Sequence, residues 1–454
     1  MKIRKPKMRP ITLVALSFVL IIGIGTGLLC IPFAVKGGSP DFLTALFTAT
    51  SATCVTGHSV VDVYEYYTYF GQAVILVLIQ IGGLGFITFI SLLLLFVKKN
   101  VSISDKKLVM QSAGGLQRTG LKPLLKYIFI GTFSFEFAGA LLLCISFIPE
   151  AGWLGIWLSV FTSISSFCNA GFALTGALDQ SSLCGFASDP LVLIVVSLLI
   201  ITGGLGFFVW YDIVDNKFRF SKFSLHSKIT LCTTGILLAS GWCLYMLFEW
   251  NNVGTIGDMN IADKIINCFF MAVTPRTAGF SSVDMAELSD GGYILTLALM
   301  FVGGGSGSTA GGIKITTLAV LMLTMITVSR RGKQVNVFKR SVEPNDVHSA
   351  VAIVMTYVMV TMLSIFIICG AESFASSGSV ISIDIKSITF EVVSAITATG
   401  LSFGITPYLT IFSKIVLIML MYFGRIGGYA MMLVFSENRR PPAATRITEH
   451  IMVG

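Results

Sequence analysis

The sequence predicts an all-α polytopic membrane protein: four span–pore helix–span repeats, giving eight transmembrane helices around one pseudo-four-fold pore. Three observations predict it. The composition suits lipid, with 54% hydrophobic and 12% charged residues among 454 and a mean hydropathy of +0.85; a soluble domain carries about 25% charged residues. Long apolar runs are separated by loops that alternate between basic and charge-poor. Two glycine-bearing motifs recur four times in fixed order. Soluble enzymes and disordered chains are excluded on composition. The nine cysteines fall mostly in apolar runs, as at Cys30, Cys144, Cys232, Cys243 and Cys369. They read as small apolar residues rather than a disulfide framework. The four histidines lie in no CxxC or HExxH setting.

A bilayer sets span length at about 20 apolar residues. Runs of that kind occupy 11–32, 71–97, 124–148, 190–214, 229–248, 293–328, 347–369 and 415–435. Of the 31 Lys and Arg, 24 fall in the N-terminal segment, the loops 98–126, 217–228 and 330–340, and the C-terminal tail. The positive-inside rule then places both termini in the cytoplasm. The net charge of +8 is spread over every inner loop, which argues against a nucleic-acid patch. The first run is long enough to span and lacks an A-x-A cleavage site, so no cleavable signal is read there.

Each outer connection holds an apolar stretch too short to span: 41–52, 155–166, 261–273 and 384–395. Each stretch leads into a polar segment with one glycine: TCVTGHS (53–59), FCNAGFA (167–173), TPRTAGFSS (274–282) and TATGLSF (397–403). A second motif then recurs inside the following span: QIGGLGF at 80–86, TGGLGF at 202–207, VGGGSG at 302–307 and RIGGYA at 425–430. These second glycines suit close helix packing. The order divides the chain into units 1–100, 101–216, 217–340 and 341–454, and a repeat takes precedence over any single motif.

Irregular backbone cannot face lipid, because unsatisfied amides cost several kcal/mol there. The four loops must therefore line a protein-enclosed or water-filled centre. Short helices with their C-termini inward aim partial negative charge at that centre, which favours a cation. Glycine allows carbonyls to turn toward the axis, and carbonyl rings replace the hydration shell of an alkali cation. The candidate ion-binding residues are Thr53, Cys54, Val55, Thr56 and Gly57; Cys168, Asn169, Ala170 and Gly171; Arg276, Thr277, Ala278 and Gly279; and Thr397, Ala398, Thr399 and Gly400. The hydroxyls of Thr53, Thr56, Thr277, Thr397 and Thr399 are placed to hold the loops. His58, beside the first loop, reads as a mouth residue.

The sixth run is too long for one simple span. In its middle lie Gly303, Gly304, Gly305, Ser306, Gly307, Ser308, Thr309, Ala310, Gly311 and Gly312. Six glycines in ten residues do not sustain a helix. The segment imitates GxGxxG/A and, up to Lys314, a phosphate loop, but no soluble β-strand precedes it, so a nucleotide site is rejected. A flexible gate and a passive helix break both remain open. Arg425 lies in the middle of the last span, where a cation faces a cavity or a partner. By register it matches Gln80. Glu136, a structural acid in the third span, is one candidate partner. Lys314 reads as snorkelling to the inner interface.

The repeat, the loops VTGHS, NAGFA, TAGFS and ATGLS, and the glycine-rich stretch 303–312 resemble the Ktr/Trk/HKT potassium transporter superfamily, most of all the membrane subunit of the bacterial Ktr system. The likeness covers nearly the whole chain. It implies potassium uptake, often sodium-dependent, with K⁺ or Na⁺ as transported or coupling ion and no cofactor in this chain. It also implies a homodimer with one pore per subunit, gated by a cytosolic nucleotide-binding ring that senses ATP/ADP or a dinucleotide. The family arginine matching Arg425 faces the pore beside the gate loop. Some sodium-selective plant relatives carry serine where this chain has Gly57. Each loop has one central glycine and no TVGYG, which implies fewer dehydrated sites than in a potassium channel. An alternating-access carrier is the alternative; it too uses broken helices, but its repeats are usually inverted, whereas these four share one orientation. An intramembrane enzyme finds no catalytic constellation in the spans.

Overall fold

The computed structural model describes residues 10–97, 121–332, 334–375 and 384–427. The N-terminal basic segment, most of the 98–126 loop, Lys333, and Gly428 onward, including the rest of RIGGYA, lie outside the described residues.

Fifteen α-helices are described. The first unit contains α1 (Pro10–Leu29), α2 (Phe42–Cys54), α3 (Val63–Tyr66) and α4 (Tyr69–Val97). The second contains α5 (Leu121–Ala151), α6 (Leu154–Phe167), α7 (Pro190–Leu205) and α8 (Phe207–Asp215). The third contains α9 (Leu225–Glu249), α10 (Ile261–Val273), α11 (Asp290–Met300) and α12 (Ile315–Ser329). The fourth contains α13 (Pro344–Ala375), α14 (Ile385–Thr397) and α15 (Ile411–Ile426). Between α12 and α13 a two-stranded hairpin pairs Asn336 with Ser341 and Val337 with Arg340, an element the sequence reading did not anticipate.

Helix starts follow local chemistry. Asp41 caps α2 by accepting from Thr44 N, Asp189 caps α7 through Leu191 N and Val192 N, and Ser224, Ser289 and Thr410 cap α9, α11 and α15. Each cap satisfies an amide that the first turn leaves free. Buried carboxylates brace two of these caps. Glu249, at the end of α9, accepts from Ser289 Oγ at 2.6 Å; Glu372, near the end of α13, accepts from Thr410 Oγ1 at 2.8 Å.

Three helices, Tyr127–Ala151, Leu225–Glu249 and Pro344–Phe374, are each long and apolar enough to cross a membrane. They carry exposed apolar side chains such as Phe133, Phe137, Leu247, Met355 and Phe366. In water this surface is an aggregation liability; in lipid it is solvated. The 190–214 run is not one straight span: α7 and α8 meet at 88°. The 293–328 run splits into α11 and α12, with non-helical backbone between.

The short helices α2, α6, α10 and α14 agree with the expected stretches to within two residues at every end. They also bury polar side chains: Thr48, Ser51, Ser163, Asn267 and Glu391 are each no more than 1% exposed. Beyond its own unit, each packs against the post-loop helix of the unit before it: α6 on α4, α10 on α7, α14 on α11, and α2 on α15. The last pairing joins the two ends of the chain and makes the arrangement cyclic.

Candidate functional site

Each short helix runs into the same backbone turn. Two residues before each loop glycine, Val55, Asn169, Thr277 and Ala398 adopt left-handed φ values of 56°, 58°, 68° and 54°. Gly57, Gly171, Gly279 and Gly400 follow at 95°, 71°, 78° and 87°. A non-glycine residue held there costs about 1–3 kcal/mol, and Val55 is β-branched. Four occurrences in one register mean that packing imposes the turn. In three loops the residue before the glycine donates its amide back to the helix: Thr56 to Ser51 O (2.8 Å), Ala170 to Ser165 O (2.7 Å) and Thr399 to Ser394 O (2.9 Å). The third loop differs; Ala278 N donates to Thr274 O at 3.0 Å.

The side chains that hold the loops are only partly those expected. Thr397 Oγ1 donates to Val393 O at 2.7 Å and shares a 2.8 Å hydrogen bond with Thr399 Oγ1. Among the described residues, the hydroxyls of Thr53, Thr56 and Thr277 are buried with no hydrogen-bond partner, so they do not brace the backbone. Serines do this instead: Gly57 N donates to Ser51 Oγ at 3.1 Å and Gly400 N to Ser394 Oγ at 3.0 Å. Their common place, six residues before the glycine, was the available signal.

The four glycines close into a ring. A Cβ at Gly57 would lie 2.5 Å from Ala170 O, one at Gly171 2.8 Å from Ala278 O, and one at Gly279 2.6 Å from Thr399 O; one at Gly400 would run into Thr56 O. In every case the carbonyl preceding one loop's glycine abuts the glycine of the adjoining loop. Cys54, Cys168 and Arg276, the residue before the left-handed turn in the first three loops, are buried, and the Arg276 Nε has no hydrogen-bond partner among the described residues.

The second glycine motif serves close approach, as expected. A Cβ at Gly82 would meet Thr53 O, and one at Gly203 would meet Phe167 O. The motif also breaks the helices, which the sequence reading foresaw only in the third unit. Gly85 kinks α4 at φ 72° and ψ 173°, Gly206 separates α7 from α8, and Gly427 ends α15 at φ 87°.

Segment 303–312 joins α11 to α12 as a loop packed on three units. Gly305 N donates to Gly204 O at 2.8 Å, Phe207 N to Gly307 O at 3.0 Å, and Thr309 Oγ1 to Phe167 O at 3.2 Å. A Cβ at Gly311 would lie 2.7 Å from Ala398 Cβ. Local hydroxyl bonds tie it further: Ser306 Oγ to Thr316 Oγ1 at 3.1 Å, and Ala310 N to Ser308 Oγ at 3.3 Å. Arg425 donates from Nη1 to Thr309 O and from Nη2 to Gly82 O. Glu136 is taken by Gln80, whose Nε2 donates to it at 2.9 Å, so the arginine's described partners are main-chain carbonyls, not that carboxylate. Lys314 does not snorkel; its Nζ donates to Ala310 O at 2.7 Å. His58 is no mouth residue either, being 1% exposed with Nδ1 3.1 Å from Glu391 Oε2.

Long apolar helices around a buried ring of main-chain oxygens define an integral membrane transporter. The chain belongs to the TrkH family, described as cation transport proteins, whose model matches residues 6–441. It is 39% identical to the potassium/sodium uptake protein NtpJ of Enterococcus hirae, over 100% of this chain and 99% of that protein. It is 38% identical to Ktr system potassium uptake protein B of Bacillus subtilis, over 95% and 94%. Its fold is similar to that of the potassium transporter TrkH from Vibrio parahaemolyticus, with a TM-score of 0.71 over 95% of this chain and 86% of that one at 17% identity. The family is one of transporters, not enzymes.

Proposed function

We propose that the chain is the ion-conducting subunit of a potassium uptake system. In this reading dehydrated K⁺ passes through the ring of four glycine loops, and the loop 303–312 with Arg425 forms a gate beneath it. The single observation carrying the reading is the cyclic abutment of Gly57, Gly171, Gly279 and Gly400 with the carbonyls of Ala170, Ala278, Thr399 and Thr56. Neutral oxygens in a ring suit a weakly hydrated alkali cation. The unpartnered hydroxyls of Thr53, Thr56 and Thr277 add oxygens free to face an ion. Main-chain anchoring of the loop by Arg425 supports the gate, because one charged side chain joins the loop to the first unit.

The eight-span topology with cytoplasmic termini is part of the proposal. So are the homodimer, the cytosolic nucleotide-binding ring and coupling to Na⁺; the names of the Ktr and NtpJ relatives support the ion and the existence of a partner system. The test is uptake of radioactive rubidium into vesicles, competed with Na⁺, Li⁺ and Cs⁺. Saturable uptake that K⁺ displaces well and Li⁺ poorly is the expected result. Uptake equal to that of empty vesicles sinks the reading, and strict counterflow moves it to the carrier.

A further inference from the structure

The ring has four joints, and one of them differs from the rest. Three join consecutive units. The fourth brings Gly400 against Thr56 and Gly57, at opposite ends of the chain, and it is the closest approach of the four. At this seam two positions depart from the repeat. The residue after the loop glycine is Phe172, Phe280 or Leu401 in three loops, each at most 2% exposed; in the first it is His58, equally buried. Nine residues before the glycine stand Thr48, Thr162 and Phe270, but in the fourth unit Glu391. The two exceptions meet, with His58 Nδ1 3.1 Å from Glu391 Oε2. The contact is at ion-pair distance without hydrogen-bond alignment, and Nε2 of His58 is buried with no hydrogen-bond partner among the described residues.

Glu391 is also the hub of the fourth loop. It accepts from Ser402 Oγ at 2.5 Å, from Phe403 N at 3.1 Å and from Thr406 Oγ1 at 3.0 Å. One carboxylate thus grips the chain just past Gly400 and touches the residue just past Gly57. A buried carboxylate is expensive unless hydrogen-bonded, so its surroundings have little freedom to shift. An apolar pair here would fill space but would not orient Ser402 and Phe403.

We propose that Glu391 is a positioning residue for cation discrimination, acting with His58 to pin the first and last loops at the seam so that the ring keeps the aperture that favours K⁺ over the smaller Na⁺. The proposal rests on the reading of the ring as the ion site.

The experiment measures initial-rate rubidium uptake, with and without Na⁺, by the full chain with its partner subunit at matched membrane levels. It uses Glu391→Gln, His58→Leu, their double variant, and Gly57→Ser as the reference for the ring itself. Glu391→Gln is expected to raise the rubidium KM and lower the rubidium-over-sodium preference about fivefold, with the maximal rate within about twofold, since aperture alters binding more than turnover. His58→Leu should move preference in the same direction by less, and the double variant should match Glu391→Gln alone, because both residues act through one contact. Unchanged preference in both single variants, with Gly57→Ser altered, overturns the seam while the ring stands. Unchanged preference in Gly57→Ser as well overturns the ring and the seam together. Fully additive single effects also overturn the pairing. If Glu391→Gln fails to reach the membrane, His58→Leu decides alone: wild-type preference in it overturns the proposal.

Discussion

Arg425 holds the carbonyl of Thr309, 116 residues away, and with its other terminal nitrogen the carbonyl of Gly82, 343 residues away. One guanidinium therefore fastens the loop of the third unit to the broken helix of the first. In the proposed gate, a cation passing there meets a fixed positive charge, whose repulsion in a site of low polarity amounts to several kcal/mol at close range.

Arg425→Ala removes both the charge and the anchor. Its expected effect is a faster initial rate of potassium uptake, by about threefold or more, taking the loss of a modest barrier at about 1.4 kcal/mol per tenfold. Glu136 will not soften the effect, because Gln80 occupies it. A rate at or below wild type, at equal membrane protein, counts against the gate.

Removing part of the loop between residues 303 and 309 tests the same gate from the other side. If the segment is the proposed gate, its contacts to Gly203, Gly204 and Phe207 hold it in place, so a shortened loop should conduct faster and respond less to the proposed partner subunit. Rubidium-over-sodium preference should stay near wild type, because the ring above is untouched. A shortened chain that inserts and conducts no faster makes the segment a passive helix break.

Gly57→Ser and Gly279→Ser place a Cβ 2.5 and 2.6 Å from a neighbouring carbonyl oxygen, at φ values only glycine adopts readily. Strain of about 1–3 kcal/mol is expected to appear as a loss of potassium preference of about tenfold, with smaller losses in expression. An unchanged K⁺/Na⁺ affinity ratio would remove both glycines from the ion path.

Asp41, outside the spans, tests the capping of α2. Hydrogen bonds from the Thr44 hydroxyl and then the Thr44 amide hold its carboxyl below the ordinary carboxylate range. A carboxyl depressed in the folded state stabilises above its unfolded pKa, about 3.9, and loses that contribution as pH falls through the folded value. Asp41→Ala should therefore cost about 1 kcal/mol near pH 7 and much less near pH 3. Thermal unfolding in detergent measures both; an equal deficit at the two pH values contradicts the cap.

If the proposed cytosolic ring docks on the face bearing Arg330, Arg331 and Arg340, its binding should weaken with salt, because surface charge pairs are screened within about 10 Å at 0.1 M. Co-purification from the native host at low and high salt checks this; recovery of no ring protein at low salt contradicts it.

What the sequence by itself determined is whatever depends on local pattern. The apolar runs, the four short helices and the helix break at 303–312 follow from periodicity, length and glycine content, so residues 261–273 were legible to the residue. The loop glycines were legible because four copies share one register. Tertiary structure decided what depends on partners distant in the chain. Val55, Thr277 and Ala398 are residue types that rarely adopt left-handed φ, and nothing in their identity marks them for it. Gly206 breaks its helix where the 303–312 loop packs against it, with a Cβ there 2.8 Å from Ser306 O. Nothing near Arg425 or His58 in sequence names Thr309 or Glu391 as neighbours. A charged or polar side chain at membrane depth is expensive alone, and for Arg425 and His58 the neighbouring group lies on an element which only the tertiary fold brings within reach.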